Sequence, residues 1–327
     1  MLLDHLLFPG FRKQSIKNAV FIVAAPRSAT TYLFHLLASE KEIFTTFKLW
    51  EIVFAPGISQ KYLLLAIIRF DRSIGNPLRK MVLKIERKIF GNFTHIHKIS
   101  LTLPEEDEAI LLWNMSTVYL NFFFPDTPHF DAYFLFDDCL PLTKQHRIMN
   151  YYYRCVQRHN YVFNRSGNRR FLSKNPAMMS KVKSMHGFFP DATILNINRS
   201  PAKTIPSTIA LNNNIYKFFT SVKASEYINN KTRQILINWY KMANNNISKY
   251  YAGNYAEIDF DHLVKGEQRT IEMICKKLGI DLNTFHKDQL QQVEASNHIS
   301  KNKYASLAPE DIEQIRIELP FLSKYML

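Results

Sequence analysis

Eight consecutive residues, Ala24-Ala25-Pro26-Arg27-Ser28-Ala29-Thr30-Thr31, bring together one cation and three hydroxyls. A guanidinium with hydroxyl donors suits an anion, above all a phosphate, through charge-assisted hydrogen bonds. The segment follows an apolar, β-branched run, AVFIVA over residues 19–24, and precedes a helical pattern from Thr30 with Leu33, Leu36 and Leu37. Backbone N–H groups at the start of such a helix point into the loop, and the helix dipole favours negative charge there. The segment has neither the GxxxxGK[ST] of loops that grip ATP or GTP nor the GxGxxG of dinucleotide sites. Read alone, it is either a phosphate loop or an ordinary hydroxyl-rich helix start.

A second group lies far along the chain. Arg199 follows the apolar run at residues 193–198, Pro201 suits a first helical position, and Ser207 stands eight residues after Arg199. Arg199 and Ser207 could meet a second phosphate from a strand end and a helix. Taken singly, each is a common surface residue.

The elements that must position these groups alternate. Strands are expected at 19–24, 171–174, 193–198 and 255–260, and helices at 30–39, 142–160, 178–186, from Pro201, and at 268–278. That order predicts an α/β protein with a parallel sheet and helices on both faces. Residues 61–90 read as helical and basic, a helical insertion at about 58–92. A helix is expected to start at Pro104, with Glu105, Glu106 and Asp107 suiting its positive end. The aromatic-rich stretch 119–136 reads as an irregular lid or wall, and Trp239 and Tyr240 as core. No linker interrupts the pattern, so one domain over residues 1–327 is expected.

Composition narrows the class. With 46% hydrophobic residues, only 9 glycines and no low-complexity segment, the 327-residue chain can build a sizeable core. The formal charge of +14 favours nucleotides, nucleic acid, anionic lipid or acidic glycans without choosing among them. Cys139, Cys155 and Cys275 are widely spaced, which argues against a disulfide framework or zinc site and for a reducing, cytoplasmic setting. Residues 1–10 lack a basic stretch and a long apolar stretch, so no signal peptide is expected. The apolar run 62–68, broken by Arg69, Asp71 and Arg72, falls short of the ~20 residues that span a bilayer.

These motifs together resemble the PAPS-dependent sulfotransferases (PAPS is 3'-phosphoadenosine 5'-phosphosulfate), in particular their bacterial-type branch. Pro26-Arg27-Ser28-Ala29-Thr30-Thr31 resembles the family's P-[KR]-S-G-T-T loop, and Arg199, Pro201 and Ser207 resemble its 3'-phosphate motif. Weaker likenesses extend over most of the chain: Trp50-Glu51, the Pro-Glu-Glu segment from Pro104, residues 171–176, Phe189-Pro190-Asp191-Ala192, and Phe260-Asp261-His262-Leu263. The chain departs from the family, which usually has glycine where this chain has Ala29 and often glycine where it has Ala24. Alanine tolerates a left-handed backbone poorly.

The resemblance implies a three-layer fold like that of the P-loop NTPases and transfer of a sulfuryl group to a hydroxyl or amine, without a metal. It assigns Arg27 to the leaving oxygen, and Ser28, Ala29, Thr30 and Thr31 to the 5' phosphate. Arg199 and Ser207 are assigned to the 3' phosphate, Phe260 to the adenine, and Lys301, Lys303 and Tyr304 to a segment closing over the nucleotide. It offers two candidates for the catalytic base, Glu51 and His97. The expected partners are PAPS and an acceptor of lipid, phenolic or carbohydrate character, with no nucleic acid and with peripheral contact to anionic membrane. Two other readings stand beside it: a small-molecule kinase-like transferase, and a catalytically degenerate nucleotide- or anion-binding protein.

Overall fold

The computed structural model describes residues 1–90, 100–125, 127–220, 225–282 and 307–325. Five strands form the sheet: β1 (Val20–Ile22), β2 (Phe44–Thr45), β3 (Arg170–Lys174), β4 (Thr193–Asn198) and β5 (Tyr255–Asp259). Their order is β2-β3-β1-β4-β5, and every pairing is parallel. Val20 pairs with Leu172 of β3 on one side and with Thr193 of β4 on the other.

β1 is buried on both faces, which is why it reads as an unbroken apolar run. Its side chains alternate between two cores. Phe21, with Phe171 and Ile194, packs under the long helices Leu142–Phe163 and Glu226–Tyr250. Val20 and Ile22, with Leu172 and Leu195, pack against helices Thr30–Ala38 and Gln268–Leu278. The last helix offers Ile271, Ile274, Cys275 and Leu278, the i, i+3, i+4, i+7 stripe of a helix that covers a sheet. The expected three layers are present. Because β1 lies between β3 and β4, the carboxyl ends of all three strands meet at one edge, where ligands of open parallel sheets bind.

The structure refines four expectations. Residues 61–90, expected to be helical, lie in two helices, Ile58–Ser73 and Pro77–Phe90. The Asp71 carboxylate accepts from the N–H groups of Leu78 at 2.7 Å and Arg79 at 3.0 Å and so caps the second helix. The helix expected from Pro104 is a 3-10 helix at Asp107–Asn114, and its acidic residues serve side-chain partners. Of the two forms expected for residues 119–136, a lid or a wall, the short helical pieces Leu120–Phe123, Pro128–Tyr133 and Phe136–Cys139 fit a wall, because Leu120, Tyr133 and Phe136 are buried in the main core. Phe260 opens a short helix, Phe260–Val264, whose first N–H groups are capped by Asp259, rather than ending a strand. Among the described residues no helix is long and apolar enough to cross a membrane, and the three cysteines are unbridged.

Candidate functional site

The segment after β1 turns sharply. Arg27 has φ 65° and Ala29 has φ 58°, both in the left-handed region, and helical geometry begins at Thr30. A left-handed residue followed by a helical one turns successive N–H groups toward a common anion. The Ser28 side chain is fully buried, and its Oγ makes no well-formed hydrogen bond within the protein, although the Tyr240 phenol stands near it. A buried hydroxyl left in this state costs free energy comparable to a lost hydrogen bond. A bound phosphate oxygen would satisfy it, so the loop fits the group that the resemblance assigns to it.

The two halves of the sequence reading meet at Arg27. Its Nε donates to Ser207 Oγ at 3.1 Å, and Arg199 Nη1 donates to the Arg27 carbonyl. The guanidinium of Arg199 lies 4.1 Å from the centroid of the Phe260 ring, a cation–π contact that fixes its plane. Tyr240, on helix Glu226–Tyr250, underlies the same corner. Its hydroxyl lies 2.9 Å from Thr204 Oγ1 and donates to the Arg199 carbonyl at 3.4 Å. Burial pushes the Tyr240 phenol up to about 12, against smaller opposing effects of Thr204, Arg199 and Ser28.

Lys174, inside the stretch 171–176, belongs to the site although no sequence motif singles it out. It is the last residue of β3, almost fully buried, and its ammonium donates to Thr31 Oγ1 at 3.3 Å. The same ammonium lies 2.9 Å from Glu106 Oε1 and 3.8 Å from Glu105 Oε1. Burial opposes its charge, but Glu106 and Glu105 outweigh burial and hold it above the ordinary lysine range. Glu106 Oε2 accepts from the Tyr119 hydroxyl at 2.6 Å. A line of contacts thus leads from the loop through Lys174 to a carboxylate that is partly exposed. The signal that could have found Lys174 is its place: a lysine at the carboxyl end of a strand parallel to β1 points to the ligand edge.

The next two acids face inward. Glu108 is fully buried, pairs with Lys181 at 2.7 Å, and accepts from Thr117 and Asn175. Asp107 accepts from the Tyr152 hydroxyl at 2.6 Å, and burial raises its carboxyl to about 7 despite the bonds from Tyr152 and Ser173.

Glu51 is 1% exposed, on the helix Leu49–Phe54. Its Oε2 lies 2.8 Å from His159 Nδ1 and 3.6 Å from Lys61 Nζ, and its Oε1 accepts from the Lys48 N–H at 3.2 Å. Burial alone would raise its carboxyl, yet His159, Lys61 and the Lys48 N–H hold it below the usual range. His159 also bonds Thr45 of β2 at 2.7 Å, so these contacts tie Glu51 to the β2 edge of the sheet. His97, Lys301, Lys303 and Tyr304 lie outside the described residues. Among the described residues no cluster of three His, Cys, Asp or Glu side chains gathers as metal ligands do.

A parallel sheet in this order, with an anion loop leaving its central strand, defines an α/β protein of the P-loop NTPase-like kind. The profile of the sulfotransferase family matches residues 19–284, and the chain belongs to that family of enzymes. Sulfotransferases generally use PAPS as donor together with an acceptor. A search of curated proteins by sequence found no match. Among solved structures, sulfotransferase STF1 from Mycobacterium tuberculosis superposes with a TM-score of 0.69 at 16% identity, over 97% of this chain and 80% of that one. Sulfotransferase STF9 from Mycobacterium avium superposes with a TM-score of 0.70 at 14% identity, over 99% and 80%. At such identities the likeness is one of fold.

Proposed function

We propose that this sulfotransferase transfers a sulfuryl group from PAPS to a hydroxyl of an acceptor with an apolar body. The observation that carries the reading is the junction of the two phosphate motifs: Arg27 of the loop is held by Ser207 and Arg199 of the second motif. PAPS, when bound, supplies the sulfuryl group and the leaving phosphate. Sulfuryl transfer resembles phosphoryl transfer in demanding mainly position and electrostatics. Ser28, Thr30, Thr31 and the N–H groups around Ala29 hold the 5' phosphate. Arg199 and Ser207 hold the 3' phosphate, and Phe260 keeps Arg199 in plane beside the adenine.

Arg27 and Lys174 set positive charge against the negative charge that grows on the leaving oxygen. Glu106 takes the proton of the acceptor hydroxyl, because it is the carboxylate tied through Lys174 to the loop. The resemblance favours Glu51 for this task, but Glu51 is buried and tied through His159 to the β2 edge, whereas Glu106 is partly exposed. The acceptor's apolar body follows from a line of rings that leads away from Glu106. Tyr119 packs on Phe122 at 5.4 Å, and Phe122 on Tyr216 at 6.0 Å, beside the exposed pair Phe123 and Phe219.

The test is transfer from radiolabelled PAPS to a panel of phenols, long-chain alcohols and sugars, with calorimetric titration of PAP, the desulfated product. Labelled product on an apolar hydroxyl, lost in Arg27→Ala, is expected. A chain that binds neither PAPS nor PAP would overturn the reading.

A further inference from the structure

The helices Ile58–Ser73 and Pro77–Phe90 turn their apolar sides outward. A helix on a globular surface normally faces its apolar stripe to the core. Here Leu63, Ala66, Ile67, Phe70 and Ile74 follow the i, i+3, i+4, i+7, i+11 spacing of one helix face, and all are exposed, Leu63 at 63% and Phe70 at 67%. The side that meets the protein carries Ile58, Lys61 and Asp71, with Leu64 and Leu65 half-buried beside them. Lys61 anchors that side by donating to the Ala55 carbonyl and pairing with Glu51.

The second helix repeats the arrangement. Leu78, Met81, Ile85 and Ile89 share an exposed face, while Glu86 ties the helix to the protein by accepting from the Leu101 N–H at 2.7 Å. The helix Leu2–Leu7 adjoins them, because Asp4 accepts from the N–H groups of Ile58 at 3.1 Å and Ser59 at 3.0 Å. Leu2, Leu3, Leu6 and Leu7 of that helix are exposed as well. An apolar surface of this extent marks an interaction site.

Charge selects the occupant. Arg69 and Arg72 on the first helix, and Arg79, Lys80, Lys84, Arg87 and Lys88 on the second, are all exposed. The two acids of the segment, Asp71 and Glu86, are engaged by backbone N–H groups. A second copy of the chain would bring the same patch against itself, since a two-fold interface is self-complementary. The cations of one copy would then face the cations of the other. An anionic bilayer accepts both features at once, with apolar side chains in the boundary between headgroups and acyl chains and cations against lipid phosphates. The helices are too short and too charged to span the bilayer, so they lie on it.

We propose that residues 58–90, together with the N-terminal helix, dock this protein on the surface of an anionic lipid bilayer. The test is flotation of the full chain with vesicles of pure phosphatidylcholine and with vesicles containing phosphatidylserine, at low and high salt. Binding to the anionic vesicles, weakened by salt, is expected. Replacing Lys80, Lys84 and Lys88 with glutamine should weaken it about a hundredfold, since each cation near such a surface is worth roughly fivefold.

Leu63→Ser with Phe70→Ser should release the protein while leaving its melting temperature and PAP affinity unchanged, because both side chains already face water. Three outcomes would overturn the proposal: no binding to anionic vesicles at low salt, binding that both variants retain, or a dimer in light scattering that the serine pair converts to monomer. The last would assign the face to a second copy.

Discussion

Ala29 sits at φ 58° and ψ 20°, where a β-carbon crowds the following carbonyl. For an L-residue that conformation costs about 1–2 kcal/mol. Glycine would remove the strain but loses more chain entropy on folding, about 0.5–1 kcal/mol. Ala29→Gly should therefore stabilise the protein by about 0.5–1 kcal/mol, read from the urea midpoint. A less stable variant would show that the loop does not strain at this position. Two carboxylates can be separated at the same scale. Glu106→Gln should cut turnover by about a hundredfold or more, as loss of a general base does, with PAP affinity retained. Glu51→Gln should act first on stability, by about 3 kcal/mol, because it leaves Lys61 and His159 buried without their anion. Turnover per folded molecule separates them. Full activity in Glu106→Gln with loss in Glu51→Gln would move the base to Glu51.

At the scale of elements, the 3-10 helix Asp107–Asn114 places an acid under the sheet, with a consequence for pH. Asp107 titrates near 7 when folded, against 3.8 for an ordinary aspartate, because it is buried. The folded protein thus keeps a proton that the unfolded chain gives up across this window. The stability from that proton is fully present below 3.8 and is lost as pH rises through about 7. The loss runs at about 1.4 kcal/mol for each pH unit inside the window. Asp107→Asn keeps an acceptor for Tyr152 and cannot ionise, so its urea midpoint should fall less than wild type's between pH 5.5 and 8. Equal falls would show that Asp107 stays protonated throughout or titrates elsewhere. These acids also mark where sequence stops speaking. Strand β4 and the helices from Pro201 and Gln268 were legible because their patterns are local: a β-branched run, a proline start, an i, i+3, i+4 stripe. Residues 105–108 look suited to a helix dipole by the same local rules. Their partners Lys174 and Lys181 stand some 70 residues away, and only the fold brings them together. β2, with two residues, is too short to show alternation.

At the scale of the whole molecule, a charge of +14 attracts any nucleotide, so nucleotide binding by itself says little about the site. PAP and ADP provide the control. Each carries two phosphates on adenosine, so long-range attraction treats them nearly alike. They differ in where the second phosphate sits: on the 3' oxygen in PAP, and in line on the 5' chain in ADP. On the proposed reading only PAP reaches both motifs joined at Arg27. A ligand that binds the native state alone stabilises it by about 2.7 kcal/mol at a hundred times its Kd. With an unfolding entropy of about 2.1 cal/mol/K per residue, this chain's melting temperature should then rise by roughly 4 °C. PAP should give that rise and ADP at equal concentration a much smaller one. Arg199→Ala should bring the PAP shift down to the ADP value. Arg199 also holds the Arg27 carbonyl, so its loss disturbs the loop as well; Ser207→Ala, which removes one hydroxyl from the 3' phosphate and one acceptor from Arg27 Nε, should lower the PAP shift more gently. Added salt should shrink both shifts while leaving their order intact. If PAP and ADP raise the melting temperature equally in the unaltered protein, Arg199 and Ser207 do not form a 3'-phosphate site, and the two motifs meet at Arg27 for structural reasons.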